Sequence, residues 1–355
     1  MTVSGTLLRQ FKRNPTYIKL TRWEFWPFYF VYIPVFFYLL YAMFRSRSLF
    51  FFSASNPAVD TGGVFGESKF SVLRLVPAEL KPRTLFIPPQ MPNEEVLQLM
   101  QQSGIGFPVI IKPDVGERGL LVEKISDPDG LKRYRARFCI NLLIQEFVSL
   151  PYEYNVLYYR YPGSDSGLVT SITGKELLSV TGNGYSTVEE LLLDNPYAIV
   201  QMKRLKAEKR ELLQTIPKTG ETVVVEPIGN HARGTLFTDK RNLIDAQVLK
   251  TFDKIASRIP GMFIYRFDVK CNGPDDLKTG KNLKLVEVNG AGGEPTHIYQ
   301  PGYPLRRAWK DLLHHWRHVY RISHANHRQG VPYMPWKEGL RKMRSYLQYK
   351  ASVGK

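Results

Sequence analysis

Three side chains that carry oxygen ligands lie near the ends of two neighbouring apolar stretches. Asp268 belongs to MFIYRFDVK, and Glu287 and Asn289 end LKLVEVN. Because residues i and i+2 of a strand share a face, Arg266 points with Asp268, and Glu287 points with Asn289. If the strands pair, one cation and three oxygen-bearing groups converge, which suits Mg²⁺ or Mn²⁺ held partly by phosphate. The alternative is a hairpin whose polar side chains face water.

A lysine followed by a glycine-containing loop is a candidate for phosphate binding. FPVIIKP predicts a strand that ends near Lys112, and the loop Asp114–Gly119 follows it. The ammonium group would contact phosphate oxygens while N–H groups of the loop close over them. The loop does not match the P-loop pattern, and a lysine beside a glycine turn is common, so this motif alone identifies no site.

Two acids flank a predicted turn between NLLIQEFV and YEYNVLYYR. Main-chain groups of such a hinge (Gln145, Glu146, Phe147 and Val148) could bind an adenine, and Glu153 on the returning strand could accept hydrogen bonds from ribose hydroxyls. The alternative is a strand pair with exposed acids.

Along the chain, Lys112 with its glycine loop comes first, the hinge follows, and the two polar strands come last. Motifs in this order resemble the ATP-grasp superfamily, and most of all its carboxylate–amine ligases, including D-alanine–D-alanine ligase. The resemblance covers residues 62–304 and implies two α/β subdomains that clasp ATP. It implies that Asp268, Glu287 and Asn289 hold two magnesium ions, and that Arg266 stabilises charge on the transferring group. Lys69 lies at about the position of the family's first phosphate lysine.

Two further segments resemble cyanophycin synthetase and bifunctional glutathione synthetase. Residues 177–192 resemble one of their conserved elements, with Asn183 in place of Asp. Residues 229–239 resemble a loop that lies over the phosphates and the acyl substrate in those relatives. The resemblance makes His231 and Arg233 candidates for phosphate or carboxylate binding.

The segment GAGGEP follows Asn289 directly and forms a second glycine loop. N–H groups of such a loop can bind an anion, which makes Gly292 and Gly293 candidates for holding a phosphate or an oxyanion. His297 follows the loop, and we place it on the substrate side of the site.

The formal net charge of +17 over 355 residues indicates an anionic partner. Residues 306–355 carry twelve Lys or Arg against two acids, and RRAWKDLLHHWRHVYRI predicts a basic amphipathic helix. Such a helix suits an anionic membrane surface, or it packs on the main domain and leaves its charges in water. Cys139 and Cys271 have no metal-type spacing, so a reducing compartment is the easier interpretation.

The segment Trp26–Phe44 contains no charged residue and has basic residues on both sides. It is barely long enough to span a bilayer, and Pro27 and Pro34 interrupt it. We expect membrane attachment through residues 23–52, as a spanning or a monotopic segment; the alternative is a buried helix of a soluble protein.

The predicted fold class is α/β (α+β) in three parts. Residues 1–53 form a basic leader and a membrane-associated apolar segment, residues 54–303 an ATP-grasp domain, and residues 304–355 a basic, aromatic-rich helical tail. We expect the catalytic domain to face the cytoplasm.

The predicted activity is that of a membrane-associated, ATP-dependent ligase that joins a carboxylate to an amine through an acyl phosphate and releases ADP and phosphate. A lipid-linked or amphiphilic substrate is reasonable beside a membrane. The alternatives are a non-catalytic membrane-bound ATP sensor and a basic nucleic-acid-binding protein. No recognisable nucleic-acid-binding module occurs, so we expect no nucleic-acid partner.

Overall fold

The computed structural model describes residues 13–117 and 119–353. Arg9 and Lys12 of the predicted basic leader, Arg118 of the first glycine loop, and Lys355 of the tail lie outside the described residues.

Within the described residues, eleven strands form three antiparallel sheets of four, five and two strands, in the orders β1-β4-β2-β3, β11-β10-β5-β6-β9 and β7-β8. The strands are β1 Thr84–Ile87, β2 Val109–Pro113, β3 Glu123–Ile125, β4 Leu142–Glu146, β5 Tyr152–Tyr159, β6 Leu168–Glu176, β7 Leu178–Thr181, β8 Thr222–Glu226, β9 Leu236–Asp239, β10 Ile264–Cys271 and β11 Lys284–Asn289.

Helices alternate with these strands, which confirms the predicted mixture of α and β structure. The α-helices are α1 Pro15–Thr21, α2 Phe28–Val31, α3 Ile33–Ser46, α4 Lys69–Leu75, α5 Asn93–Gln102, α6 Pro128–Arg137, α7 Val188–Leu192, α8 Pro196–Glu208, α9 Arg210–Gln214, α10 Ala246–Ser257, α11 Pro274–Thr279, α12 Leu305–Arg328 and α13 Trp336–Val353. Short 3₁₀ turns occupy Trp23–Phe25, Phe51–Ser55, Asp60–Gly63, Ala78–Leu80, His231–Arg233, Arg241–Leu243 and Thr296–Tyr299.

Each of the two larger sheets packs its own hydrophobic core. Helix α10 covers the five-stranded sheet, and its start is fixed by Asp245, whose side chain accepts hydrogen bonds from the N–H groups of Gln247 and Val248. The buried residues of this helix recur at helical spacing. The ring of Phe252, one of these residues, packs on Phe267 of β10 with 5.5 Å between the ring centres. Helices α5 and α6 contribute to the core of the four-stranded sheet. The two sheets therefore pack against different helices.

Helix α12 is part of the main body rather than a detached tail. Its apolar residues Leu312, Trp316 and Val319 are buried in one core with the N-terminal segment and the five-stranded sheet. Asn326 donates to the Ala54 carbonyl over 2.8 Å, and Ser323 donates to the Phe51 carbonyl. The basic residues of α12 lie on its exposed side, which matches the interpretation of a helix that packs and leaves its charges in water.

The apolar segment Trp26–Phe44 is interrupted, as the sequence indicated, and forms the two helices α2 and α3. Helix α2 ends at Val31, Tyr32 departs from the helical conformation, and Pro34 lies in the first turn of α3 where its missing N–H costs nothing. Within residues 13–117 and 119–353, no helix combines the length and the apolar character required to cross a membrane.

Asn56 joins the loop before α4 to the start of β10. Its amide group donates to the carbonyls of Gly62 and Ile264 over 3.1 and 3.0 Å, and its oxygen accepts from the N–H groups of Phe263 and Ile264 over 2.8 and 2.9 Å. The side chain is fully buried, so no water replaces these four bonds at low cost.

Asn56→Ala removes four hydrogen bonds to backbone groups, although the Gly62 carbonyl keeps the Ala291 N–H as a donor, so we expect the free energy of unfolding to fall by roughly 3 kcal/mol. Urea denaturation followed by circular dichroism measures the loss. Asn272→Ala is the matched control, since Asn272 is exposed, and its loss stays within about 0.5 kcal/mol. An equal effect of the two substitutions would contradict the role of Asn56.

Candidate active site

The predicted convergence of polar groups on β10 and β11 is confirmed. The two strands pair antiparallel, with Asp268 opposite Glu287 and Arg266 opposite Asn289. All four side chains line a cavity of about 650 Å³ whose walls include residues of both larger sheets. The polar residues of this hairpin therefore face an enclosed space rather than the solvent around an isolated hairpin.

Most of the residues singled out in the sequence line this one cavity. The lining includes Lys69, Lys112, Gln145, Glu146, Phe147, Val148, Glu153, His231, Arg266, Asp268, Glu287, Asn289 and Gly292. Arg233, Gly293 and His297 do not belong to its lining.

Two ammonium groups lie on the side of Glu287. Lys112 is 6 % exposed, and its Nζ donates to Gln145 Oε1 over 3.0 Å and to the Val286 carbonyl over 3.2 Å. Lys69 is the first residue of α4, and its Nζ lies 3.6 Å from Glu287 Oε1. Burial lowers the pKa of Lys112, and the charge of Lys69 acts in the same direction while Glu287 opposes it. An anion in the cavity would stabilise both cations.

Lys175 of β6 forms a buried ion cluster that the sequence reasoning missed. Its Nζ lies 2.6 Å from Glu153 Oε1 and 2.9 Å from Asp268 Oδ2. Arg266 Nε and Asn155 Nδ2 donate to Asp268 Oδ1 over 3.4 and 3.3 Å. Lys175, Arg266 and Asn155 together hold the Asp268 carboxylate in place, and the two cations among them balance its charge.

These contacts decide the protonation of the cluster. Burial alone would raise the pKa of Asp268, but the charges of Lys175 and Arg266 hold it below its ordinary value. Burial would likewise lower the pKa of Lys175, but the charges of Asp268 and Glu153 raise it. Both residues are therefore charged at neutral pH.

Asp268, Glu287 and Asn289 have the donor set expected for magnesium shared with phosphates. The nitrogen of the Asn289 amide is buried and has no hydrogen-bond partner in the structure, so this amide is free to turn its oxygen toward a cation. No group of three His, Cys, Asp or Glu within the described ranges is arranged to hold a metal. Two carboxylates and an amide thus fit an ion that takes its remaining ligands from phosphate and water.

The hinge after β4 is held by its own contacts. The Glu146 carboxylate pairs with Arg83 over 3.0 Å, and the Glu146 N–H donates to the Arg83 carbonyl over 2.9 Å. The ammonium group of Lys124 lies 4.1 Å from the centre of the Phe147 ring, and that of Lys270 donates to the Val148 carbonyl over 3.2 Å. The Glu146 N–H is thus already paired, and base binding by main-chain groups of the hinge stays a prediction.

The second glycine loop is pinned by the loop before α4. The Gly292 N–H donates to the Gly63 carbonyl over 2.7 Å, and the Gly293 N–H donates to the Gly290 carbonyl over 2.9 Å. A Cβ on Gly63 would lie 2.6 Å from the Cα of Gly290, so only glycine permits this approach. Both donors are already paired in this structure, and the role of Gly292 and Gly293 in anion binding stays a prediction.

The three other residues predicted to bind substrate, His231, Arg233 and His297, lie in different environments. His231 faces the cavity among aromatic rings, and burial lowers its pKa to about 4, which keeps it neutral. Arg233 instead pairs with Glu226 over 3.1 Å. His297 is buried with its Nδ1 2.7 Å from Ser171 Oγ and its Nε2 3.2 Å from Asp311 Oδ2. The structure does not bring Arg233 and His297 to the cavity.

The N-terminal segment supplies cavity residues that the sequence reasoning assigned only to a membrane. Glu24 and a group of aromatic side chains line the cavity, together with Glu294 after the second glycine loop; the aromatic residues are Phe25, Trp26, Phe28, Tyr32, Tyr299 and Trp316. The sequence could have indicated Asn155 as a cavity residue, because it follows Glu153 at i+2 on the same strand and so shares its face.

Known proteins that this chain resembles include several ligases. No family model matches the chain. It is 25% identical over 224 residues to the cyanophycin synthetase of Geminocystis herdmanii (strain PCC 6308), which covers 54% of this chain and 24% of the relative. The chain thus spans about a quarter of the length of this curated relative. The predicted resemblance to cyanophycin synthetase is confirmed.

Two solved structures align with much of the chain at low identity. The D-alanine–D-alanine ligase from Bacillus anthracis complexed with ATP has a TM-score of 0.42 and 12% identity, covering 74% of this chain and 68% of that one. The bifunctional glutathione synthetase from Pasteurella multocida has a TM-score of 0.34 and 15% identity, covering 69% of this chain and 35% of that one.

Lys175→Met removes the cation between two buried carboxylates, so we expect a loss of roughly 3–5 kcal/mol in the free energy of unfolding at pH 7. Chemical denaturation at a series of pH values measures it. The ion cluster stabilises the fold above the ordinary carboxyl pKa, and this contribution is lost as pH falls through the lowered pKa of Asp268.

The difference between the wild type and Lys175→Met should therefore shrink below about pH 4. Lys132→Met, at an exposed lysine of α6, serves as the control and changes stability little at any pH. If the loss in the free energy of unfolding caused by Lys175→Met does not vary with pH, Lys175 stabilises the fold by packing and not by its charge.

Proposed function

We propose that the chain is an ATP-dependent carboxylate–amine ligase whose nucleotide and metal occupy the cavity between the two larger sheets. The proposal rests on one observation: three cations and two carboxylates line the same cavity. The cations are Lys69, Lys112 and Arg266, and the carboxylates are Asp268 and Glu287. Cations of this kind bind phosphate oxygens, and carboxylates beside them bind the accompanying magnesium. The resemblance to a cyanophycin synthetase supports the same class of reaction.

In the proposed reaction, the chain acts by position and charge. Lys69, Lys112 and Arg266 would bind the phosphates of ATP, and their charges would oppose the repulsion between these phosphates and an incoming carboxylate. Magnesium held by Asp268, Glu287 and Asn289 would neutralise further phosphate charge. Because the ion cluster already holds Asp268 in place, the site need not rearrange when charge develops on the transferring phosphate.

Two bond exchanges complete the reaction. A carboxylate oxygen of the first substrate bonds to the γ-phosphorus as the bond to the bridging oxygen of ADP breaks. The nitrogen of the amine then bonds to the acyl carbon, phosphate leaves, and the nitrogen loses its proton. No side chain needs to form a covalent intermediate, so a Ser or Cys nucleophile is not required.

We also propose that the chain lies on a membrane surface through the outer face of α3. Six apolar residues recur there at helical spacing (Ile33, Phe36, Phe37, Leu40, Tyr41 and Phe44), and Phe37 and Phe44 are 70% and 82% exposed. The opposite face of α3 carries Val35 and Ala42, which are buried in the core that includes α12. A helix that is apolar on its outer side as well as its inner one suits insertion into the bilayer interface.

A row of basic side chains lies beside this apolar face. The exposed side of α12 carries Arg306, Lys310, His314, Arg317, Arg321, His324 and Arg328. Burial raises the pKa of Tyr38 on α3 to about 12, and the charges of Arg317 and Arg321 act in the opposite direction, which places both near α3. Arginines beside an apolar face would bind anionic lipid headgroups, and such attachment is monotopic.

Asp268→Asn and Glu287→Gln should each reduce ADP formation by at least about 100-fold, because each removes a negative charge that would hold the magnesium bound to the phosphates. The assay measures ADP released by the full chain with MgATP and pooled carboxylates and amines. Asp165→Asn, at an exposed loop, is the matched control and should retain the wild-type rate. Wild-type protein that binds MgATP but forms no ADP with any pool would favour a non-catalytic sensor over the ligase.

Phe37→Asp combined with Phe44→Asp should abolish flotation with vesicles of phosphatidylcholine and phosphatidylglycerol, because each charge would enter the apolar part of the interface. Leu347→Asp changes an exposed leucine of α13 in the same way and should float like the wild type. Arg317→Ala with Arg321→Ala should weaken binding only to vesicles that contain phosphatidylglycerol. Flotation of the Phe37 and Phe44 double variant at the wild-type level would rule out this face as the anchor.

A further inference from the structure

Carboxylates and aromatic side chains also line the cavity, beside the cations that would bind phosphate. We call this group the acceptor chamber and define it by Glu24, Phe28, Tyr32, Glu294, Tyr299 and Trp316, all of which line the cavity. The two charged members of this group are carboxylates, and its other four members are aromatic. The cavity thus offers opposite charges to two different ligands.

Glu294 is held as an acceptor at the centre of the chamber. Its Oε2 accepts a hydrogen bond from the Tyr32 hydroxyl over 2.5 Å, and its Oε1 accepts from the Tyr299 hydroxyl over 2.7 Å. Burial, followed by the charge of Glu294, raises the pKa of Tyr32 far above its ordinary value, so this phenol remains a donor. Two phenols orient the carboxylate without neutralising its charge.

Glu24 is a second carboxylate, and it is almost unpaired. It is 8% exposed, and the hydrogen bond from the Tyr197 hydroxyl, over 3.5 Å, is long. Among the residues that the structure describes, no Lys, Arg or His lies within ion-pair distance of it, and Arg22 acts only from farther away. Burial raises the pKa of Glu24, while its own backbone and Arg22 act in the opposite direction. A buried carboxylate without an ion-pair partner is costly, and a cation in the chamber would lower that cost.

Aromatic rings connect the two carboxylates. The Tyr197 ring lies 5.5 Å from the His231 ring, and the His231 ring lies 5.2 Å from the Tyr299 ring, whose hydroxyl donates to Glu294. The faces of such rings attract an organic cation and exclude water from it. His231 is neutral here, so it does not cancel the negative charge of the chamber.

The segment that forms the chamber also reaches the outer apolar surface. Trp26 and Phe28 line the cavity, and Tyr29 and Phe30 between Phe28 and α3 are exposed. A ligand with a cationic head and an apolar chain could therefore place its head between the carboxylates and its chain along aromatic side chains. A substrate carboxylate would be repelled by both Glu24 and Glu294.

We infer that the acceptor chamber binds the amine substrate as an organic ammonium ion with an apolar carbon chain, held by Glu24 and Glu294, and that the ion passes one proton to a carboxylate of the chamber before its nitrogen attacks the acyl carbon. The identification of this ligand as the substrate rests on the ligase function proposed above. The binding of the cation itself rests on the two carboxylates and the aromatic walls alone.

Isothermal titration of the full chain with n-octylamine tests the inference, with N-octylacetamide as the uncharged comparison. Octylamine should bind at least tenfold more tightly than N-octylacetamide, which carries the same chain without the charge. Glu24→Gln and Glu294→Gln should each weaken octylamine binding about tenfold or more, while Glu95→Gln, at an exposed acid of α5, should leave it unchanged. Equal binding of the two compounds by the wild type would overturn the inference, whether or not the variants fold.

MgATP binding by the wild-type chain, measured in the same way, separates this inference from the ligase function. A chain that binds MgATP but does not distinguish octylamine from N-octylacetamide has the nucleotide site and lacks the acceptor chamber. A chain that distinguishes the two compounds but does not bind MgATP has the cation site and is not the proposed ligase.

Discussion

The ion cluster around Lys175 is the interaction on which the rest of the site depends. Three carboxylates enter the cavity from β5, β10 and β11, and without a buried cation they would repel one another in a space with little water. Lys175 lies directly across from Glu153 in the paired strands, and Asp268 lies across from both Asn155 and Glu287. The register of four adjacent strands therefore sets the charge pattern of the site. A shift of one residue in any of these pairs would turn the cluster to the other face of the sheet.

The cavity combines side chains of the sheets with side chains of the N-terminal segment. Cations from α4, β2 and β10 line it together with the carboxylates of the five-stranded sheet. The N-terminal segment adds Glu24 and aromatic rings to the same lining. Helix α12 supports this arrangement from behind, since Trp309 donates to the Val31 carbonyl over 2.9 Å and Trp316 lines the cavity. One segment thus contributes an outer apolar face on α3 and an inner wall beside it.

The sequence was sufficient to predict the parts of the site that depend on local rules. Alternation along a strand brought Arg266 to the side of Asp268 and Glu287 to the side of Asn289, and the antiparallel pairing of the two strands completed the group. Lys175 escaped prediction because its partners lie on β5 and β10, and only the order of strands in the sheet brings them together. The contact of Gly292 escaped prediction for a similar reason, because its partner Gly63 lies more than two hundred residues away along the chain. His297 is buried beside Asp311 of α12, a contact that no spacing within its own segment indicates.

A structure of the chain with magnesium and a non-hydrolysable ATP analogue would test the central claim most directly. The account predicts that the phosphates contact Lys69, Lys112 and Arg266, and that metal density lies against Asp268, Glu287 and Asn289 with the base near the hinge at Glu146. The acceptor chamber would remain open beside the γ-phosphate. A nucleotide bound outside this cavity, or phosphates bound there without contact to Lys112 and without metal at Asp268 and Glu287, would contradict it.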